Sequence, residues 1–359
     1  MADLSRGVLL KLMDRRELIK AVGAIALTAS TIKGEDSSAR RSKPRMIKPK
    51  ALKEGDQIAV VAPASTVEPQ AFDRALANLT ALGFRPKVGA HARGRNGFLS
   101  GTDAERLADL HTAFSDKNVK AVWCVRGGGG SPRLLPLLDF ELIRKNPKVF
   151  IGFSDITALH IAISQRTGLV TFHGPVGTSQ YTNYTRGRVM ELLTGSAKPP
   201  IVVEPSPENL KKEAALFHPA TIKGGRAKGE LTGGNLSLLA ALCGTPYTLK
   251  DIAGKILFIE DINEPPYRVD RMLTQLRQSL DLHSLAGVAL GVFDDGANTT
   301  KDAAPLLDVF RDRLGDLGVP VVYGLSFGHI TDNMTLPYGI KAELDADAAT
   351  ITFLESAVS

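Results

Sequence analysis

Cysteine is nearly absent from this chain: only Cys124 and Cys243 occur among 359 residues. Each lies in an apolar run, Ala121-Val122-Trp123-Cys124-Val125 and Leu239-Ala240-Ala241-Leu242-Cys243, which excludes a disulfide framework and predicts two small core residues. The seven histidines show no metal-ligand spacing, so no metal site is expected. Aromatic residues make up 6% of the chain, with a single tryptophan. No apolar run is long enough to cross a bilayer. A G-x-x-x-x-G-K-[ST] phosphate loop is missing. In the run Gly127-Gly128-Gly129-Gly130 the dinucleotide register G-x-G-x-x-G fails, because its last glycine falls on Pro132 or Arg133. Nucleotide binding therefore lacks sequence support.

A surplus of positive charge is also missing from most of the chain. The formal net charge is +6, but residues 1–50 hold 12 Lys/Arg against 5 Asp/Glu, and residues 51–359 hold 32 against 33. Nucleic-acid binding loses its main compositional support. The basic N-terminus contains Asp14-Arg15-Arg16-Glu17-Leu18-Ile19-Lys20, followed by an apolar stretch from Ala21 to Ala29. This segment resembles a twin-arginine export signal, from which Asp14 and Leu18 depart mildly. It implies a periplasmic location, cleavage near Ala29 and no membrane span after export. The alternative is an amphipathic N-terminal helix of a cytoplasmic protein. Lys33 to Lys50 reads as a basic tether outside the fold.

Length and a 43% hydrophobic content suit two domains. Strands are expected over 58–63, 86–88, 119–125, 148–153 and 169–172, alternating with helices over 71–82, 103–114, 140–145 and 156–166. That alternation predicts an α/β fold with a doubly wound, parallel, Rossmann-like sheet. Residues 186–222, with Lys198-Pro199-Pro200 and Pro205-Ser206-Pro207, read as the crossing between domains. The expected division is a signal and tether over 1–46, an N-terminal domain over 47–185, a linker over 186–222 and a C-terminal α/β domain over 223–359. The second domain is read as helix 236–242, strand 256–260, helix 269–280, strand 288–293, helix 303–314, strand 320–323 and closing strands near 341–344 and 350–353.

Chemistry is expected where polar groups follow apolar strands. Ser154, in Gly152-Phe153-Ser154-Asp155-Ile156, stands between a strand and a helix, where its hydroxyl and the first free N–H groups of the helix would share one space. An ordinary N-cap serine fits the same position. Glu260 follows the apolar stretch Ile256 to Ile259, and His329 follows Val321 to Gly328. Serine, carboxylate and histidine are the parts of a nucleophile, an orienter and a base. Taken singly each also fits a solvated or structural role, and Asp261 and Glu264 compete with Glu260. The order Ser, Glu, His is that of α/β-hydrolases, yet Ile156 stands where the G-x-S-x-G elbow has glycine. Arg126-Gly127-Gly128-Gly129-Gly130 follows a strand, as an oxyanion loop or a tight turn would.

Together these segments resemble the LD-carboxypeptidase family of serine peptidases, also called muramoyltetrapeptide carboxypeptidases, over Leu52 to Phe353. The motifs that carry the resemblance are Ala59-Val60-Val61-Ala62-Pro63-Ala64-Ser65, Val122 to Gly128, Ile151-Gly152-Phe153-Ser154-Asp155-Ile156-Thr157 and His173-Gly174-Pro175. They continue with Gly233-Gly234-Asn235-Leu236, Leu257 to Asp261, Glu264-Pro265-Pro266-Tyr267-Arg268, and Gly328-His329 before Leu336-Pro337-Tyr338-Gly339. The resemblance implies a swivelling, barrel-like second α/β domain and an active site in the cleft between the domains. It implies Ser154 as nucleophile, Glu260 and His329 as its partners, and the N–H groups of Gly128 and Asp155 as oxyanion hole. Gly129 departs from the family, which often has an aromatic residue there.

The implied reaction removes the terminal D-alanine from a peptidoglycan tetrapeptide, at the amide between an L-centre and a D-centre, through an acyl-enzyme on Ser154. No metal or organic cofactor is called for. The implied partners are muropeptides and a second copy of the chain. Arg126 and Arg268 are candidates for the substrate carboxylate, and Asn235 is a further substrate-binding candidate. The alternatives are a microcin-immunity type of peptidase acting on aminoacyl-nucleotide conjugates and a non-catalytic periplasmic muropeptide-binding protein. A nucleobase-stacking aromatic in a second-domain loop would favour the former.

Overall fold

Strands buried on both faces pair side by side as the alternation requires. In the computed structural model, which describes residues 44–294 and 306–359, β1 (Gln57–Val61), β2 (Arg85–Val88), β3 (Val119–Cys124), β4 (Val149–Gly152) and β5 (Phe172–His173) are parallel, in the order 5-4-3-1-2. Helices α1 (Pro69–Ala81), α2 (Asp103–Ser115), α3 (Phe140–Lys145) and α4 (Thr157–Thr167) connect them. Thr102 and Glu105 close a capping box at the start of α2. α4 is apolar almost all round, and Thr157 through Ile163 are all buried, because it lies between the first sheet and the second half of the chain.

The second half contributes α5 (Asn183–Thr194), β6 (Ile201–Val203), α6 (Ala214–Phe217), β7 (Ala220–Lys223), β8 (Arg226–Asn235), α7 (Leu236–Leu242), β9 (Ile256–Ile262) and α8 (Pro266–Ser279). It continues with β10 (Gly287–Asp294), α9 (Leu306–Leu314), β11 (Val321–Tyr323), β12 (Leu336–Pro337), β13 (Lys341–Asp345) and β14 (Thr350–Phe353). Eight of these strands form a mixed sheet in the order 6-14-13-8-9-10-11-7, with β8 to β11 parallel. β12 leaves that sheet and pairs antiparallel with β5. The first sheet therefore ends on a strand supplied by the last quarter of the sequence.

Three expectations change. The basic tether ends earlier than Lys50: Ile47 bridges Leu169, Lys48 pairs with Glu355 at 2.7 Å, and Pro49 accepts the Ser359 N–H at 2.9 Å. The backbone from Ile47 is thus fixed by the middle and the C-terminal end of the chain despite its polar composition. The stretch 186–222 carries most of α5 and both edge strands of the eight-stranded sheet, β6 and β7. Strand β9 runs past Glu260 to Ile262, because Asp261 and Ile262 still pair with Phe293 and Asp294 beyond a bulge in β10. The Arg15-Arg16 segment lies outside the described residues.

Candidate active site

Ser154 follows β4 with φ at +63°, a left-handed conformation that costs a residue with a side chain roughly 1–2 kcal/mol. A short 3-10 helix over Ser154–Ile156 then leads into α4. The strained residue of the turn is the serine itself, while Ile156, in the place of the elbow glycine, is buried. Gly127 lies directly against the turn. A Cβ at that position would stand 2.9 Å from Ser154 Cβ and 3.1 Å from the Phe153 carbonyl oxygen, so a larger residue would push the two apart.

Side chains behind the glycine loop fix its path. The Gly129 N–H donates to Ser65 Oγ at 3.0 Å. Arg106, 2% exposed, donates to the carbonyls of Pro63 and Gly130, the latter at 3.0 Å. The Ser131 N–H donates to the Asp155 carboxylate at 2.8 Å, so the residue after Ser154 straps the loop to the turn. Burial pushes the Asp155 carboxyl above its ordinary range, against the pull of its hydrogen bonds from Ser131. Gly128, at φ +107°, lies between these anchors, on Ser65.

On the other side of the site, Glu260 faces Asn235 across the β9–β8 pair. Glu260 is wholly buried, and its Oε2 accepts a hydrogen bond from His329 Nδ1 at 2.7 Å. Burial opposes its ionisation, but the charge and hydrogen bond of His329 outweigh it and hold the carboxyl below its ordinary value. Successive side chains of a strand point to opposite faces, and Asp261 turns to α7 instead. Its carboxylate accepts from the Asn235 amide at 2.9 Å and from the Ser237 hydroxyl at 2.8 Å. Burial, and then the charge of Glu260, raise the Asp261 carboxyl. Glu264 pairs with Arg268 at 2.8 Å. Of the three neighbouring carboxylates, Glu260 is the one bonded to His329.

The loop that carries His329 is pinned by residues remote in sequence. Thr185 of α5 donates to the Thr331 carbonyl at 3.0 Å and accepts from the Asn333 N–H at 2.9 Å. The Asn209 amide donates to the Asp332 carbonyl at 3.2 Å, and the Ser206 hydroxyl bonds the Asp332 carboxylate. Gly328, at φ +116°, passes so close to Glu260 that a Cβ there would lie 3.0 Å from Glu260 Cβ. The His329 ring centroid lies 4.8 Å from that of Phe153, the residue before Ser154. The Glu260–His329 pair and the serine turn are thereby joined.

The other candidates are placed as follows. Asn235 is buried; its amide goes to Asp261, and its side-chain oxygen accepts from the Leu238 N–H at 3.2 Å, capping α7. Arg126 is exposed and donates to the Thr66 carbonyl at 3.1 Å. Arg268 is half-exposed beside Glu264. The sequence reading missed Ser65, Arg106, Ser131, Thr185 and Ser206. An arginine on the buried side of α2 is a weak signal for one of them. Nothing local marks Thr185 or Ser206, because their partners lie more than 120 residues away. Among the described residues no cluster of three or more His, Cys, Asp or Glu could hold a metal ion, and no helix is long and apolar enough to cross a membrane.

The family profile described as the LD-carboxypeptidase N-terminal domain matches residues 58–174, and the C-terminal domain profile matches residues 228–344. A probable murein peptide carboxypeptidase of Bacillus subtilis (strain 168) is 42% identical over 319 residues, covering 87% of this chain and 95% of the relative. A solved muramoyltetrapeptide carboxypeptidase from Oxalobacter formigenes superposes with a TM-score of 0.71 at 31% identity, over 82% of this chain and 97% of that one. The microcin C7 self immunity protein MccF, solved in complex with aspartyl sulfamoyl adenosine, superposes with a TM-score of 0.77 at 26% identity, over 87% of this chain and all of that one. With both profiles matched in order and a relative of this identity aligned over most of its length, the chain belongs to the LD-carboxypeptidase family.

Proposed function

We propose that this protein is a serine-type LD-carboxypeptidase that releases the terminal D-alanine from peptidoglycan tetrapeptides. The observation that carries the reading is the 2.7 Å contact from His329 Nδ1 to buried Glu260, set beside a serine held in a left-handed turn. With Nδ1–H donated to the carboxylate, the neutral His329 ring presents Nε2 as the acceptor for the proton of Ser154. Ser154 Oγ attacks the carbonyl carbon of the L-centre, and the N–H groups of Gly128 and Asp155 stabilise the oxyanion. The first residues of a helix have no intrahelical acceptor for their N–H groups, which suits Asp155 to that role. His329 returns the proton to the departing amine of D-alanine. Water, activated by the same imidazole, then opens the ester and restores Ser154.

Arg126 is the better cation for the free carboxylate of the leaving residue. Its hydrogen bond goes to a neutral carbonyl, whereas the charge of Arg268 is met by Glu264. Asn235 acts beneath the site, through its cap on α7 and its hold on Asp261. The test is D-alanine release from a muramyl tetrapeptide by the wild type and by Ser154→Ala. Release by the wild type and none by a folded variant is expected; undiminished release by the variant would remove Ser154 from the mechanism.

A second reading has its own support. Tyr267, 62% exposed at the start of α8, is an aromatic in the second half of the chain that could stack on a nucleobase, and MccF shares the fold. Cleavage of an aminoacyl-nucleotide conjugate, with none of the tetrapeptide, would favour it. Binding of muropeptides without turnover would leave the non-catalytic alternative. Export through Arg15 and Arg16 and assembly as a homodimer belong to the same proposal. Secretion unchanged by replacing both arginines with lysine would refute the first, and a monomer mass in light scattering the second.

A further inference from the structure

A second histidine, which the reaction above does not use, lies behind the Glu260–His329 pair. His173 ends β5, paired with Gly152 of β4 on one side and Leu336 of β12 on the other. It is wholly buried, with its ring edge-on to Phe258 at 5.4 Å and to Phe153 at 6.0 Å. Its Nε2 lies 3.9 Å from Glu260 Oε1, the carboxylate oxygen that His329 does not hold. Among the described residues no hydrogen-bond partner meets either ring nitrogen of His173 or Glu260 Oε1. Burial lowers the His173 pKa to about 4, against the charge of Glu260, so the ring is neutral at neutral pH and carries one N–H.

A buried polar group without a partner is destabilising, and two such groups face each other here. Bringing Nε2–H onto Oε1 needs an approach of about 1 Å to reach ordinary hydrogen-bond length. We propose that His173 is a positioning residue for Glu260, its Nε2–H gripping Oε1 during acyl transfer so that Oε2 stays aimed at His329 Nδ1. The inference rests on the triad reading of the preceding section. It adds no bond to the reaction beyond one hydrogen bond: the carboxylate is held between two imidazoles while His329 carries the proton from Ser154. If His173 were only a filler of the core, an apolar residue of similar size would do as well, and would remove two orphaned nitrogens.

The two accounts diverge on His173→Leu. Positioning predicts that kcat falls about 10- to 100-fold, as for other residues that orient a reacting group through a second contact, with KM within about two-fold of wild type. It also predicts that the low-field proton resonance of the His329–Glu260 hydrogen bond, which needs no substrate to be seen, shifts or broadens. His173→Gln, whose amide reaches the place of Nε2, restores both; His173→Asn, whose amide stops at the place of Nδ1, does not. Unchanged turnover and resonance in a folded His173→Leu would overturn the proposal. If that variant does not fold, equal activity of the Gln and Asn variants would overturn it, and an active Gln beside an impaired Asn would support it. A wild type that releases no D-alanine, with the resonance lost in Leu and regained in Gln, would refute the substrate reading and leave the clamp standing.

Discussion

The serine side and the histidine side of the site are held by different means. Ser154 is held by backbone geometry, a left-handed φ and a glycine loop, and its supports Ser65, Arg106, Ser131 and Asp155 all come from the N-terminal half. His329 is held by side-chain hydrogen bonds among Thr185, Ser206, Asn209, Glu260 and Asn333, drawn from α5 to the last quarter of the chain. One parallel sheet suffices to form the serine side. The histidine side exists only once α5 and residues 201–212 have docked. Substitutions on the serine side should therefore lower turnover with little change in stability, whereas those on the histidine side should lower both.

Glu260→Gln should have the largest effect. An amide cannot accept from His329 as the carboxylate does, and it favours the tautomer whose Nε2 already carries a proton. A fall in kcat of roughly 10³- to 10⁴-fold is expected, measured with saturating tetrapeptide. A variant within ten-fold of wild type would mean that Glu260 is not the orienter and that the two sides are not coupled through it.

Acid should come next, acting through stability. Burial lowers the pKa of His160 to about 3 and that of His173 to about 4. Both values lie below the ordinary histidine value, so between those points and about pH 6.5 the unfolded chain binds more protons than the folded one. The stabilisation is fully present above about pH 6.5 and is lost on acidification, by an order of 3 kcal/mol per ring. Glu260, also held below its ordinary value, acts in the same direction at lower pH. His160 sits under the serine side, its Nε2 donating to the Gly152 carbonyl at 2.8 Å and its ring stacked on Tyr338 at 5.0 Å. His160→Gln should flatten the fall of the melting temperature between pH 7 and pH 4.5, and an unchanged slope would remove His160 from the account.

Thr185→Val keeps the shape of the side chain and deletes both of its bonds to the His329 loop. A loss of about 2 kcal/mol in stability and a several-fold fall in kcat are expected together, read by denaturant unfolding and by turnover. A loss of stability alone would show that the loop holds its histidine without α5.

The same asymmetry governs what could be read from the sequence. Alternating apolar segments placed most helices and strands of the first sheet to within a few residues, since β1, β3 and β4 are buried almost throughout and bounded by turns. The short β5 drifted, because Leu169, Val170, Thr171 and Phe172 are all buried and only pairing decides where the strand begins. β8 went unseen: Gly229, Gly233 and Gly234 weaken any strand signal, and the strand is held by its neighbours β9 and β13. Ser154 could be located from a local change of pattern. Glu260 and His329 could be named only as two polar groups near strand ends, and their contact depends on a sheet and a loop that no local pattern encodes.

Ser65→Ala should have the smallest effect, and it tests the serine side alone. Ser65 Oγ takes the Gly129 N–H at 3.0 Å, and the Ser65 N–H donates to the Gly127 carbonyl at 3.3 Å. The substitution keeps the backbone bond and removes the side-chain one, so Gly128 between them gains freedom without a change of fold. Removing an oxyanion donor outright costs 10²–10³ in kcat; loosening one should cost about ten-fold, with stability within about 1 kcal/mol of wild type. The effect should fall on kcat and leave KM almost unchanged, because the donor meets charge that develops only in the transition state. A rise in KM at constant kcat would mean instead that the loop binds the ground-state substrate, and that the backbone around Gly128 serves recognition, not catalysis.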